Sequence, residues 1–203
     1  MGTAIRSKRA KKVAEMFGVE ADPGSYAGFV DIAAIEIRPG TVTLVTGASG
    51  SGKSTLLREL GRKLRTRAWV DVSRIRLDDV PVVDCFGSDD LVAVLMTLGR
   101  VGLGEVWTYL RTPAELSEGQ RWRLRMALAL WRMREKPGVL VADEFCAFLD
   151  RVTAKVVARC LRKTIDAHPG MAAVLASPHE DLEAALRPEV VVRCDFGAIS
   201  VQT

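Results

Sequence analysis

Residues 47–55 read GASGSGKST, three glycines spread through a short loop and then a lysine and two hydroxyl side chains. Gly47, Gly50 and Gly52 let successive backbone N–H groups wrap an anion, and with Ala48, Ser49 and Ser51 they form a cradle for phosphate oxygens. Lys53 is placed to reach the β- and γ-phosphates of a nucleoside triphosphate. Ser54, with Thr55 beside it, offers a hydroxyl to Mg²⁺. The spacing is G-x-x-x-x-G-K-[ST], and it stands in the context this chemistry needs: after the apolar run TVTLVT and at the start of a helical pattern.

A second cluster follows another apolar run, VLVADE at residues 139–144. A strand there delivers Asp143 to its C-terminal end, where open α/β sheets bind ligands. Asp143 can hold a Mg²⁺ shell through water, and Glu144 is placed to polarise an attacking water as general base. A third stretch, LSEGQ at 116–120, precedes a long helical run. Ser117 and Gln120 form a capping box. Gly119 in the first turn weakens a helix but lets an anion approach the free N–H groups.

Phosphate loop, LSEGQ, VADE, FLD at 148–150 and a late histidine, in this order, resemble the ABC-type ATPase superfamily. There the signature is usually written L-S-G-G-Q, so Glu118 departs from it. The resemblance implies that Ser117, Gly119 and Gln120 meet the γ-phosphate of an ATP held by another subunit. It implies that Asp150 ends a loop running across the dimer seam, and that His179 touches the γ-phosphate. The family's glutamine after a strand is absent; VPVVDCFG offers Asp84 as a carboxylate for the Mg²⁺ or water contact. Tyr26 is the candidate for stacking on adenine, with Phe29 as its rival. The strings DCFG and DEFC resemble a branch often fused to a GNAT-type acetyltransferase domain, which implies an acetyltransferase partner.

The activity implied is hydrolysis of Mg-ATP by a soluble, non-transport ATPase, in a head-to-tail homodimer that drives a separate partner. The alternatives are the nucleotide-binding subunit of a membrane transporter and a nucleotide-sensing regulator with little turnover. Residues 85–116, thirty-two in all, separate Asp84 from Ser117. That is short for a region that grips membrane helices and favours the first reading.

These groups need strands that end together and helices that begin beside them. FVDIAAIEIRPGTVTLVTG reads as two strands around a Pro39-Gly40 turn, AWVDVSRIRL and VPVVDC as strands, and 88–99 as a helix capped by Ser88. PGVLVADEF reads as a short, continuously apolar strand of the kind buried in a parallel sheet, and MAAVLAS as another buried strand. TAKVVARCLRKTIDA and EDLEAAL read as helices, and EVVVRCDFGAISVQ as a closing hairpin. The expected fold is α/β: a P-loop NTPase of the ABC type, with a mostly parallel core sheet, a flanking antiparallel part and a shortened helical subdomain.

The chain of 203 residues, 48% hydrophobic, is sized for one substantial core. The expected division is a basic arm over 1–25 and the ATPase domain over 26–203. Arg6, Lys8, Arg9, Lys11 and Lys12 put five cations and no acid in the first twelve residues. That arm reads as a solvated tail or as a nucleic-acid contact. No apolar run reaches membrane-span length and no apolar stretch follows the basic start, so neither membrane insertion nor a secretory signal is expected. Four scattered cysteines and two histidines disfavour a zinc site and fit the reducing cytoplasm.

Overall fold

The computed structural model describes residues 7–16, 35–64, 68–195 and 198–202. After helix α1 (Lys8–Met16), the described chain forms a six-stranded sheet. Its strands are β1 (Val42–Thr46), β2 (Trp69–Asp71), β3 (Val139–Ala142), β4 (Ala172–Ser177), β5 (Val190–Asp195) and β6 (Ala198–Gln202). The spatial order is β2-β3-β4-β1-β5-β6. All pairings are parallel except the last, where β5 and β6 close the expected hairpin.

The mostly apolar character of the central strands has a direct cause. Leu44, Leu140, Ala142, Ala173 and Leu175 face one core; Val45, Val139, Val141, Val174 and Ala176 face another. Alternate residues point to opposite faces, so a strand covered on both sides is apolar on both; Thr43, Thr46 and Ser177 are the buried polar exceptions. Helix α2 (Lys53–Lys63) covers the second face with Leu56, Leu57 and Leu60. The first face carries α3 (Leu91–Arg100), α5 (Glu118–Met133) and α6 (Arg151–Ala167). Each fully buried leucine there contributes about 2 kcal/mol relative to exposure. Short helices α4 (Val106–Leu110) and α7 (Glu183–Leu186) complete the layers.

Three local expectations are corrected. VPVVDC is no strand: Val82–Phe86 form a 3-10 helix with Val82 and Phe86 buried four residues apart. The strand at AWVDVSRIRL stops at Asp71, whose carboxylate accepts from Ser73 N–H and turns the chain into a second 3-10 helix, Val72–Arg74. Asp90, not Ser88, caps α3, accepting from Ala93 N–H at 3.0 Å. Of the expected strand at 29–38, residues 35–38 are described; they are not part of the six-stranded sheet, although Ile35 and Ile37 are buried. Tyr26, Phe29 and the expected boundary at 25/26 lie outside the described residues.

At the far end of the sheet, Arg162 on α6 is buried and holds several groups together. It donates to both carboxylate oxygens of Glu189, to Asp166 and to the Gly40 carbonyl. Glu189 in turn accepts from Val42 N–H at 2.7 Å. This network fixes where β1 starts, and so where its other end delivers the phosphate loop.

Candidate functional site

β1, β3 and β4 run the same way, with Thr46 opposite Ser177 and Ala142 opposite Leu175. Their C-terminal ends therefore present three loops at one edge: 47–52, 143–150 and 178–179. Gly47 has φ +141° and lies so close to β5 that a Cβ would sit 2.1 Å from the Cys194 carbonyl oxygen. Gly52, at φ +100°, begins α2 with no side-chain cap, which leaves the first N–H groups of the helix open. Lys53 Nζ folds back over the loop, donating to the Gly47 and Ala48 carbonyls at 2.6 and 2.7 Å. Buried Ser51 Oγ and Thr46 Oγ1 have no hydrogen-bond partner among the described residues.

A cavity of about 270 Å³ opens between this loop and the turn after β3, lined among others by Lys53, Ser54, Asp143, Glu144 and Pro178. Lys53, Ser54, Asp143 and Glu144, expected to serve phosphate, metal and water, thus converge on one space; His179 is not among the residues lining it. Asp143 accepts from Glu144 N–H at 3.0 Å, and Glu144 and Cys146 take left-handed backbone at φ 51° and 59°. Such strain in non-glycine residues costs about 1–3 kcal/mol each and concentrates at functional sites.

His179 follows Pro178 at the end of β4. Its N–H donates to Ser177 Oγ at 3.2 Å, and Ser177 Oγ donates to the Phe145 carbonyl at 3.0 Å. Partial burial, and then the nearby Arg151 cation, hold the imidazole pKa below its ordinary value. Asp150 caps α6 by accepting from Val152 and Thr153 N–H; the Thr153 side chain first, and then these backbone bonds, lower its pKa.

Not every expected residue joins this space. Ser117 and Gln120 form the expected capping box at the head of α5, with bonds of 3.2 and 3.0 Å. Neither they nor Gly119 are among the residues lining the cavity. A Cβ on Gly119 would lie 3.1 Å from the Phe148 carbonyl oxygen, so the glycine also serves close packing against the chain's own 148–149 segment. Glu118 forms an ion pair with Arg121 one turn on, which offsets the acid's charge in the variant signature.

Asp84 is exposed on the 3-10 helix 82–86 and lines neither this cavity nor its larger neighbour. The neighbour, of about 760 Å³, shares Ser54 and Asp143 with the first and is also lined by Asp71 at the end of β2. Asp71 was missed from the sequence. Its signal was an acid ending an apolar strand, the same signal that marked Asp143. Burial pushes the Cys85 thiol up to about 11 and raises Cys146 further, so both stay protonated at neutral pH.

Among the described residues no three His, Cys, Asp or Glu side chains converge on a metal position. One hydroxyl and one carboxylate, Ser54 and Asp143, suit Mg²⁺, which protein holds through one or two groups plus substrate phosphates. The open helix start and the unpaired Ser51 hydroxyl suit the phosphates themselves.

The family described as "AAA ATPase domain" matches residues 33–187, which include the phosphate loop, Asp143 and His179. The lipoprotein-releasing system ATP-binding protein LolD of Novosphingobium aromaticivorans is 30% identical, over 81% of this chain and 87% of its own. An aliphatic sulfonates import ATP-binding protein, SsuB 2 of Paracoccus denitrificans, is 31% identical over 84% and 73%. Some relatives are longer: the chain covers 57% of the hypophosphite import ATP-binding protein HtxD of Stutzerimonas stutzeri, at 29% identity. The fold is that of the ATP-binding cassette MJ0796, solved as a dimer bound to ADP and Pi, with TM-score 0.66 at 20% identity over 83% and 88% of the two chains. With phosphate loop, signature segment, Asp143-Glu144 pair and late histidine in series on this fold, the chain belongs to the ABC-type ATPases of the P-loop NTPase superfamily, which hydrolyse ATP.

Proposed function

We propose that this chain hydrolyses Mg-ATP at sites shared head-to-tail between two copies. Each site joins the phosphate loop of one copy to Ser117 and Gly119 of the other. One observation carries the reading: Lys53, Ser54, Asp143 and Glu144 line one cavity, with Pro178 beside His179, while the signature segment that would complete it lines none of it. Phe148, Val152 and Val156 support it, an exposed apolar row flanking Asp150 at the expected seam. Within the site, Lys53 leaves the loop carbonyls for the phosphates, Ser54 and Asp143 hold Mg²⁺, and Glu144 takes the proton of the attacking water. Bound Mg²⁺ supplies charge neutralisation at the phosphate oxygens. His179, held largely neutral, contacts the γ-phosphate. Asp71, rather than Asp84, takes the carboxylate position on the metal side.

The work driven is that of a separate partner in the cytoplasm. The short helical segment between Asp84 and Ser117, and the DCFG and DEFC strings, favour a non-transport role beside an acetyltransferase. The names of the relatives favour the second reading, an ATP-binding subunit of a transporter. Among the described residues no helix is long and apolar enough to cross a membrane, and both readings accommodate that. The basic arm is proposed as a nucleic-acid contact, and a flatter salt dependence of binding after deletion of residues 1–12 would support it.

Glu144→Gln tests the core of the proposal. It should leave ATP binding intact, lower turnover by about 10²–10⁴-fold, and let the closed dimer accumulate with ATP and Mg²⁺ in light scattering. A monomer at saturating ATP would contradict it.

A further inference from the structure

Helix α6 has the Asp150 carboxylate as its N-cap but a cation as the residue that follows it. Its first residue is Arg151, and the first turn contains no acid, although a helix N-terminus disfavours positive charge. A second acid comes from outside the helix. Asp181, two residues past His179, forms ion pairs with Arg151 and, at 3.4 Å, with Lys155 one turn further on. Arg151 makes its pair through Nη2, while its buried Nη1 has no hydrogen-bond partner among the described residues. The turn carrying His179 is thus tied to one segment at two places: through Ser177 Oγ to the Phe145 carbonyl, and through Asp181 to the start of α6. Between those two anchors runs 145–151, with left-handed Cys146, exposed Phe148 and Asp150.

We propose that Arg151 is a positioning residue for His179, acting through Asp181 so that any movement of the 145–150 loop carries the imidazole with it. The proposal rests on the reading of His179 as the group that meets the γ-phosphate. It makes the tie a link between the dimer seam and hydrolysis within the same chain. Both ion pairs are about half exposed, and exposed pairs stabilise a fold little. Their loss should therefore show in catalysis rather than in folding. The charges around His179 are Arg151 and Lys155 from α6, Glu180 and Asp181 from its own turn, and Arg193 of β5, which pairs with Glu180 at 4.0 Å. The Arg151 cation also lowers the His179 pKa, so the geometry has a spectroscopic signature.

The test uses the full chain, in which His168 and His179 are the only histidines. Arg151→Gln and Asp181→Asn should each lower kcat about tenfold or more, with ATP affinity within about twofold. The double variant should be no slower than the slower single one, because both break one tie. Imidazole NMR titration should show the His179 pKa rising in Arg151→Gln, and Arg151→Lys should restore most of the rate and keep the pKa low. If Arg151→Gln fails to fold, Asp181→Asn breaks the same tie from the more exposed side and decides alone. Wild-type kcat in Asp181→Asn, with His179→Ala inactive, would overturn the proposal. So would an Arg151→Lys variant as slow as Arg151→Gln. Full turnover in His179→Ala would instead remove the reading of His179 itself, and the proposal with it.

Discussion

Gly47→Ala is the sharpest local perturbation of the site. The residue sits at φ +141°, which side chains rarely adopt, and that strain alone costs about 1–3 kcal/mol. The added Cβ would lie 2.1 Å from the Cys194 carbonyl oxygen and 2.8 Å from Ser51 Oγ. Relief requires the loop or β5 to retreat by about 1 Å, and overpacking of this kind adds about 1–3 kcal/mol. At about 2–4 °C per kcal/mol for a chain of this size, Tm should fall by about 5–20 °C. A cradle displaced by about 1 Å should also lose about 10²-fold in turnover. Gly40→Ala separates the two causes. Gly40 has φ +81° but nothing within 4 Å of a Cβ, and it starts β1 at the opposite end. It should lose about 2–10 °C of Tm from strain alone, with turnover unchanged. Calorimetry and a phosphate-release assay on both variants decide. If Gly47→Ala matches Gly40→Ala in both measurements, the close approach to Cys194 plays no part in shaping the loop.

Arg162→Met leaves Glu189, Asp166 and the Gly40 carbonyl without their shared donor. It should cost about 2–3 kcal/mol in denaturant unfolding, with kcat unchanged at permissive temperature, and an unchanged midpoint would refute the anchoring role. His179 has a folded pKa below its ordinary value of 6.5. The unfolded chain therefore binds the proton more readily, and the group's contribution to stability is present above about pH 6.5 and lost as pH falls below it. Tm measured between pH 5 and 8 should show that acid-side loss shrink in His179→Gln, and an identical profile would contradict the assignment.

Much of this architecture is legible in the sequence, for reasons that particular residues show. VLVA and AAVLA have no polar position because both faces of β3 and β4 are covered. The phosphate loop is legible because its glycines and lysine are required by backbone geometry and charge, not by packing that only the fold reveals. VPVVDC misleads because its valines favour strand locally, while burial of Val82 and Phe86 rewards a helical spacing. Its punctuation was nonetheless present: Pro81 before and left-handed Gly87 after are the signs of a short helix. Ser88 and Asp90 are both competent caps, and only the start of α3 packing decides between them. Gly119 shows the limit most clearly. Its suitability for an anion could be read from LSEGQ, but its contact with Phe148, twenty-nine residues on, needed the fold.

The central claim is that each site draws on two copies, and mixing two inactive variants tests it most directly. Lys53→Ala removes the charge on the phosphates, and Ser117→Arg fills the opposing phosphate seat with a bulky cation. Each homodimer should be nearly inactive. In a mixed dimer one site joins both damaged elements and the other joins neither. With random pairing half the dimers are mixed, so activity should recover toward about a quarter of wild type. Coupling between the two sites would lower that figure, so the predicted result is a clear rise above both parents. No rise, with subunit exchange verified by labelled protomers, would contradict the account and leave LSEGQ as the capped start of a helix in its own chain.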